Sequence, residues 1–209
     1  MRESETIDAK LLKKLEDKKY RRQYGLCILE GEKIIKDNLD KVVKVFLNEK
    51  NSLKNYSGRV AVAQIPMPAV PTIPFLVLDC IQDPTNMGAI LRSAFAFGFR
   101  TVYCINCVDQ YSSKVIRASA GYCLRLNIIN CNYQDIPNEK LFVAGFNGKE
   151  VKGFSQINNL VLGNEGNGVS AEILSKSHEI ISIPMNEGCE SLNVSVAGAI
   201  IMYYNKVSS

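Results

Sequence analysis

Three segments of the chain concentrate groups that could hold a ligand or act on one. In DPTNMGAILRSAFAFG, residues 83–98, Asp83-Pro84 turns the chain, Asn86 and Gly88 open a helix, and Arg92 stands one turn inside it. The rest of that helix is small and apolar, so Arg92 either pairs with a carboxylate or reaches a substrate. In LVLGNEGNGVS, residues 160–170, Gly163, Gly166 and Gly168 suit positive φ or a close backbone approach. This loop lacks the Lys-Ser/Thr ending of a P-loop and does not follow the G-x-G-x-x-G dinucleotide pattern. A tight turn and a nucleotide-cofactor loop both remain open for it. In IPMNEGCESLNVSVAGAI, residues 183–200, Ser191 and Asn193 stand at the start of a final helix. Ser191 reads there as an N-cap, because its oxygen can accept an orphan N–H.

Groups so far apart in sequence can act together only if a fold gathers them, and beyond residue 70 the pattern implies such a fold. FLVLDC at 75–80 is a continuous apolar run, as expected of a strand buried on both faces. A helix follows from about 87 to 97, ending at Gly98. Strands are predicted at 101–106, 124–129, 141–146, 159–164 and 179–184, with helices at 112–120, 171–175 and 192–204. Strands alternating with helices predict an α/β fold with a parallel sheet, whose ligands bind at the carboxyl ends of the strands. All three segments follow such ends.

The first 70 residues differ. They predict a helix at 7–23, a strand at 26–30, a second helix from about residue 30, and strands at 42–47 and 59–64. Pro66, Pro68, Pro71 and Pro74 then fall close together, and proline can continue neither a helix nor a central strand. A boundary near residue 70 divides the chain into 1–70 and 71–209. The 1–70 part holds 15 Lys and Arg against 10 Asp and Glu, the remainder 10 against 11. Lys10, Lys13, Lys14, Lys18, Lys19, Arg21 and Arg22 crowd together, interrupted only by Glu16 and Asp17. Such a cluster either holds phosphates or is the solvated face of an amphipathic helix.

Composition narrows the classes. An apolar share of 46% and a charged share of 22% in 209 residues support a packed core rather than a disordered chain. No apolar run approaches the roughly 20 residues that span a bilayer, and the N-terminus lacks the apolar stretch of a signal peptide. A cytoplasmic protein is expected. The seven cysteines are odd in number and scattered, which fits reduced thiols. Cys104 and Cys107 form a lone C-x-x-C and His178 is the only histidine, so no metal is expected.

Together the three segments resemble the motifs of the SpoU-type RNA ribose methyltransferases of the SPOUT superfamily. Asn86, Gly88 and Arg92 stand as in the first motif, Gly163-Asn164-Glu165-Gly166 as in the second, and Glu190-Ser191-Leu192-Asn193-Val194-Ser195 as in the third. Their order matches, as does the spacing to KVIRASAG at 114–121, which contains Arg117. The resemblance covers residues 75–204. KYRRQYGLCILEGEKIIKDNL at 19–39 also resembles the start of a small ribosomal-protein-like RNA-binding domain, of α+β type, that many members carry.

The resemblance implies a parallel sheet closed by a C-terminal trefoil knot, a homodimer, and methyl transfer from S-adenosylmethionine to a ribose 2′-hydroxyl. The RNA is ribosomal in first place and transfer RNA in second. It assigns catalysis to Arg92, Glu165, Asn86, Ser191 and Asn193. It assigns the cofactor to Leu162, Gly163, Asn164, Gly166, Ile183, Pro184, Met185, Ser191 and Leu192. RNA contacts are expected at Lys13, Lys14, Lys18, Lys19, Arg21, Arg22 and Arg117. Guanidinium is a poor proton acceptor, so Arg92 is expected to hold phosphate and developing oxyanion charge, with Glu165 orienting Arg92 or the ribose. Two neighbouring classes compete: a binding module of the same fold without chemistry, and an enzyme that methylates a base nitrogen. The intact motif residues weigh against the first, and Asn86, Arg92 and the Glu190–Asn193 run against the second.

Overall fold

Apolar residues recurring at helical and strand spacing within 10–47 and 58–64 fold onto a three-stranded antiparallel sheet. A computed structural model describes residues 10–47, 58–153 and 156–208. Helix α1 (10–15) is followed by α2 (Lys18–Tyr24), β1 (Leu26–Glu30), α3 (Glu32–Asp37), β2 (Val42–Leu47) and β3 (Arg59–Gln64), with β3 between β1 and β2. The single helix expected over 7–23 is broken at Glu16-Asp17, and its first three residues lie outside the described ones. Asp17 takes an extended conformation (φ −94°, ψ 132°) and its carboxylate accepts the Lys19 N–H at 2.8 Å. It therefore caps α2 instead of continuing α1.

The proline-rich stretch is pinned as it leaves this sheet. Asn127 exchanges two hydrogen bonds with the Ala69 backbone, at 2.8 and 3.0 Å, and the Thr72 N–H donates to Thr101 Oγ1 at 2.8 Å. Beyond it the strands are β4 (Phe75–Asp79), β5 (Thr101–Ile105), β6 (Asn127–Asn130), β7 (Leu141–Glu150), β8 (Asn159–Leu162) and β9 (Ser177–Ser182). The helices are α4 (Pro84–Phe97), α5 (Ser113–Ala118), α6 (Ala171–Leu174) and α7 (Val194–Ser208). The six strands form one sheet in the order β6-β5-β4-β8-β7-β9, every pair parallel.

From β4 the chain lays β5 and β6 on one side, then crosses to lay β7, β8 and β9 on the other. The order thus reverses between β4 and β8, and such a switch point opens a crevice at the carboxyl ends of its strands. Two predicted strands change a bound by three residues or more. Residues 122–125 form a 3-10 turn that buries Cys123 and Leu124 and leaves Arg125 exposed, so β6 begins only at Asn127. Strand β7 runs on to Glu150, with a register break in which Ala144 and Lys149 both oppose Ile181, so residues 145–148 bulge out.

Helix α4 buries Met87, Ile90, Leu91 and Ala94 against the sheet, each large side chain contributing about 1.5–3 kcal/mol of transfer free energy. Its crossing with α5 is very close: a Cβ on Gly88 would lie 2.3 Å from the Ala118 Cβ, so only glycine fits. The buried faces of the two sheets belong to one cluster, in which Cys27, Leu29, Ile35, Ala61 and Ala63 join Leu76, Leu78, Ile116 and Leu124. Among the described residues no helix is long and apolar enough to cross a membrane.

Candidate active site

Asp83 fixes where the first segment starts its helix. Its carboxylate accepts the N–H groups of Thr85 and Asn86, both at 2.8 Å, and Pro84 fills the first turn, so α4 begins three residues earlier than its apolar pattern predicts. Asn86 is thereby set facing the other two segments. Its Nδ2 donates to Glu165 Oε1 at 2.9 Å, and its Oδ1 accepts from Asn193 Nδ2 at 2.9 Å. One asparagine thus ties the loop after β4 to the loop after β8 and to the start of α7.

The loop after β8 is held on itself. Asn164 and Gly168 exchange backbone hydrogen bonds at 2.8 and 3.0 Å, and Asn164 Oδ1 accepts from the N–H groups of Gly166 and Asn167, both at 3.0 Å. Asn164 Nδ2 donates to the Cys80 carbonyl at 2.8 Å, so the loop is anchored to the end of β4. A Cβ on Gly163 would lie 2.5 Å from the carbonyl of Gly168, which is why this turn needs glycine. Asp79, only 1% exposed, adds a second anchor by accepting from the Ser170 N–H at 2.7 Å and from the Tyr133 hydroxyl at 3.1 Å. Sequence reasoning missed Asp79; its one signal was a charge at the end of an apolar strand.

At the start of α7 the cap is Asn193, not Ser191. Asn193 Oδ1 accepts from the Ser195 N–H at 2.9 Å and the Ser195 hydroxyl at 2.6 Å. Ser191 lies two residues before it, exposed, on the wall of a cleft of about 720 Å³. All nine residues assigned to a cofactor by resemblance line this one cleft, as do Glu165 and Asn193. It also takes in residues that sequence reasoning did not select: Gly145, Phe146 and Gly148 of the β7 bulge, Glu150, and the turn at 186–189. Two glycines in AGFNG were the available signal for the bulge.

The cleft suits S-adenosylmethionine. Its volume lies in the roughly 300–1,000 Å³ range of small-molecule sites. Leu162, Ile183, Met185, Leu192 and Ala197 offer apolar surface for an adenine, and the turn 163–168 offers backbone groups. Glu150, Glu165 and Glu187 also line the cleft, so its charged lining is acidic, which suits a ligand with a cationic centre.

Arg92 is exposed on α4, outside the cleft lining, and forms no ion pair or hydrogen bond among the described residues. The carboxylate pairing that its sequence setting left open is thus not formed among the described residues. Glu165 does not orient it either, since its partners are Asn86 and, at 3.4 Å, Asn164. His178 packs edge-on against Phe142, ring centroids 5.6 Å apart, at the start of β9 and away from the cleft.

The basic cluster divides. Lys13, Lys14, Lys19 and Arg22 are exposed and Lys18 is half-buried. Lys14 and Lys19 flank the Tyr20 ring at 5.6 and 5.8 Å. Arg21 leaves the group: it is 5% exposed, its Nε donates to Asp109 at 2.7 Å, and its Nη1 donates to the Leu15 carbonyl at 2.6 Å. A guanidinium so enclosed has no donor facing solvent-borne phosphate. Arg117 is exposed and pairs with Glu30 at 3.2 Å across the seam between the sheets.

Cys104 is buried, and its hydrogen bond with Cys107 together with burial holds its thiol well above the usual value. Cys107 donates to the carbonyls of Leu78 and Ile105. Among the described residues no group of three or more His, Cys, Asp or Glu is arranged to hold a metal ion.

A model of the SpoU rRNA Methylase family matches residues 74–203. The 23S rRNA (guanosine(2553)-2′-O)-methyltransferase RlmP of Bacillus subtilis is 31% identical over 139 residues, 62% of this chain and 56% of that protein. An uncharacterized tRNA/rRNA methyltransferase of Mycobacterium ulcerans is 28% identical over 200 residues, 85% of this chain and 61% of that protein. A solved structure from the TrmH family of Porphyromonas gingivalis superposes with a TM-score of 0.83 at 27% identity, covering 96% of this chain and 97% of that one. The chain spans about half the length of the curated relatives it matches.

Proposed function

The chain belongs to the SpoU rRNA methylase family, and from that premise we propose that it transfers a methyl group from S-adenosylmethionine to a ribose 2′-hydroxyl of structured RNA. Ribosomal RNA is the first candidate substrate, supported by the name of the Bacillus relative, and transfer RNA the second. One observation carries the reading: Asn86 of the first motif segment bonds Glu165 and Asn193, which line the cleft walled by the other two segments, while Arg92, six residues on, has no ion pair among the described residues.

The cofactor, when bound, supplies an already activated methyl group, so the protein's task is alignment. Leu162, Gly163, Asn164, Gly166, Ile183, Pro184, Met185, Ser191 and Leu192 hold it. Glu165, steadied by Asn86, accepts from the ribose hydroxyl and sets its direction. Arg92 is always charged and offers a planar fork, so it holds the adjacent phosphate and offsets negative charge that develops on the oxygen. Asn86 and Asn193 keep the loops in register. Histidine takes no part in this scheme.

The same reading extends to the rest of the molecule. The segment from β9 to α7 returns beside the turn after β8, which supports a trefoil knot here. Val196, Tyr203, Tyr204 and Val207 are exposed on α7, which supports a homodimer. Residues 1–70 form the small RNA-binding domain, with Lys13, Lys14, Lys18, Lys19 and Arg22 holding phosphates. The protein works without a metal, in the cytoplasm. Calorimetry with S-adenosylmethionine tests the core of the proposal: one site per chain is expected, and methyl groups should appear on ribose when RNA from cells lacking the gene is treated with the protein. No binding at millimolar cofactor would sink it.

A further inference from the structure

The face of α4 beyond Arg92 carries a constellation that the motif loops do not use. Phe95 lies one turn on, and its ring stacks on Tyr122 with centroids 4.7 Å apart and planes 28° apart. The Arg100 guanidinium carbon lies 3.9 Å from the centre of the Phe95 ring, and Arg100 Nη1 donates to the Phe95 carbonyl at 2.9 Å. The Arg125 guanidinium lies 6.0 Å from the same ring and donates to the Asp37 carbonyl at 2.6 Å. Lys33 of α3 completes the group, within electrostatic reach of both Arg92 and Tyr122.

The nearby carboxylates are already engaged. Asp37 holds Lys33 at 2.8 Å, and Asp40 holds Lys41 at 2.6 Å. Arg92, Arg100 and Arg125 are all exposed and none forms a direct ion pair among the described residues, although the Asp37 and Asp40 carboxylates lie within electrostatic reach of Arg125. Each guanidinium has five donors, and Arg100 and Arg125 each spend one on a backbone carbonyl. Packing on Phe95 holds the Arg100 plane in advance of any ligand, and the tie to Asp37 does the same for Arg125, so less rotamer entropy is given up on binding. Two exposed guanidiniums fixed about one ring and bonded directly to no carboxylate are suited to successive phosphates, which a planar guanidinium binds in bidentate fashion.

We propose that Arg100 and Arg125, set by Phe95 and Tyr122, form a phosphate track for the RNA strand that runs on from the nucleotide held at Arg92. The track is separate from the basic cluster of α1 and α2, and it lies in the half of the chain whose net charge gave no sign of it. It rests on the RNA methyltransferase reading, and the test separates the two.

The protein is compared with Arg100→Ala, Arg125→Ala and the double variant, using a fluorescein-labelled oligouridylate titrated at several potassium chloride concentrations. Cofactor affinity and the melting temperature are measured alongside. The double variant is expected to keep both, to bind the oligomer more weakly, and to lose about 0.7 log units of salt slope per arginine removed. Arg100→Glu, at an exposed side chain bonded only to backbone, should weaken binding further and serves if Arg125 variants fold poorly. Wild-type protein that binds neither cofactor nor oligomer overturns the methyltransferase reading and the track together, and wild-type protein that binds cofactor but not the oligomer overturns the track alone. Normal wild-type binding with an unchanged slope in the variants overturns the track alone. Loss of dimers in sedimentation with that slope unchanged assigns the face to a second copy of the chain instead.

Discussion

Arg21 and Arg92 occupy opposite kinds of place. Arg21 sits in the seam between the two sheets, enclosed by Asp109 and the Leu15 carbonyl, while Arg92 stands exposed on α4 with no partner among the described residues. In sequence they look reversed. Arg21 belongs to a crowd of cations, as a phosphate-binding residue would, and Arg92 is the lone charge of an apolar helix, as a buried structural pair would be. The difference follows from what surrounds each one. A charge enclosed by protein persists only if paired, so Arg21 and Asp109 hold the seam together. A charge left in water needs no partner, and Arg92 is exposed. The seam shares one buried apolar cluster across both sheets, whereas the cleft mixes apolar side chains with glycine turns, side-chain amides and carboxylates.

Substitution at each arginine should show the two roles apart. Arg21→Met strands the Asp109 carboxylate in a buried setting and should cost about 3–5 kcal/mol of stability. Chemical denaturation measures it, and the Arg21→Met, Asp109→Leu double variant should recover much of the loss. An unchanged denaturation midpoint in Arg21→Met would show that the pair does not hold the seam.

Arg92→Ala should do the reverse. We expect single-turnover methyl transfer to fall by about 10²–10³, with the melting temperature and cofactor affinity unaltered. Arg92→Lys keeps the charge but loses the fork, so it should also be severely slowed. Transfer at near-normal rate in either variant would make the residue structural after all.

The smallest effect belongs to the exposed basic cluster. Replacing Lys13, Lys14, Lys19 and Arg22 with Ala should flatten the salt dependence of RNA binding by about 0.7–0.9 log units for each phosphate no longer neutralised. A variant that stays folded with an unchanged slope would return that cluster to solvated surface. Removing residues 1–70 outright is a poorer probe, because it would uncover Ile116 and Leu124, which pack in the cluster shared with the first sheet.

Much of this architecture is legible from local pattern. β4 and β5 appear where their apolar runs predict them, because a strand buried on both faces leaves polar side chains to its ends, as with Asp79 and Thr101. The glycine turn after β8 and the segments around Asn86 and Asn193 are also marked by residue types that other positions would not require. Tertiary structure decided what local pattern leaves open. It broke the first helix at Asp17, moved the cap of α7 from Ser191 to Asn193, and pushed residues 145–148 of β7 out to form a wall of the cleft. It enclosed one arginine of a basic run and exposed the only one in an apolar helix. These outcomes depend on which distant segment lies opposite a residue, as Asp109 lies opposite Arg21. Spacing along the chain carries periodicity, but the partner of a charge is set only when the sheets close.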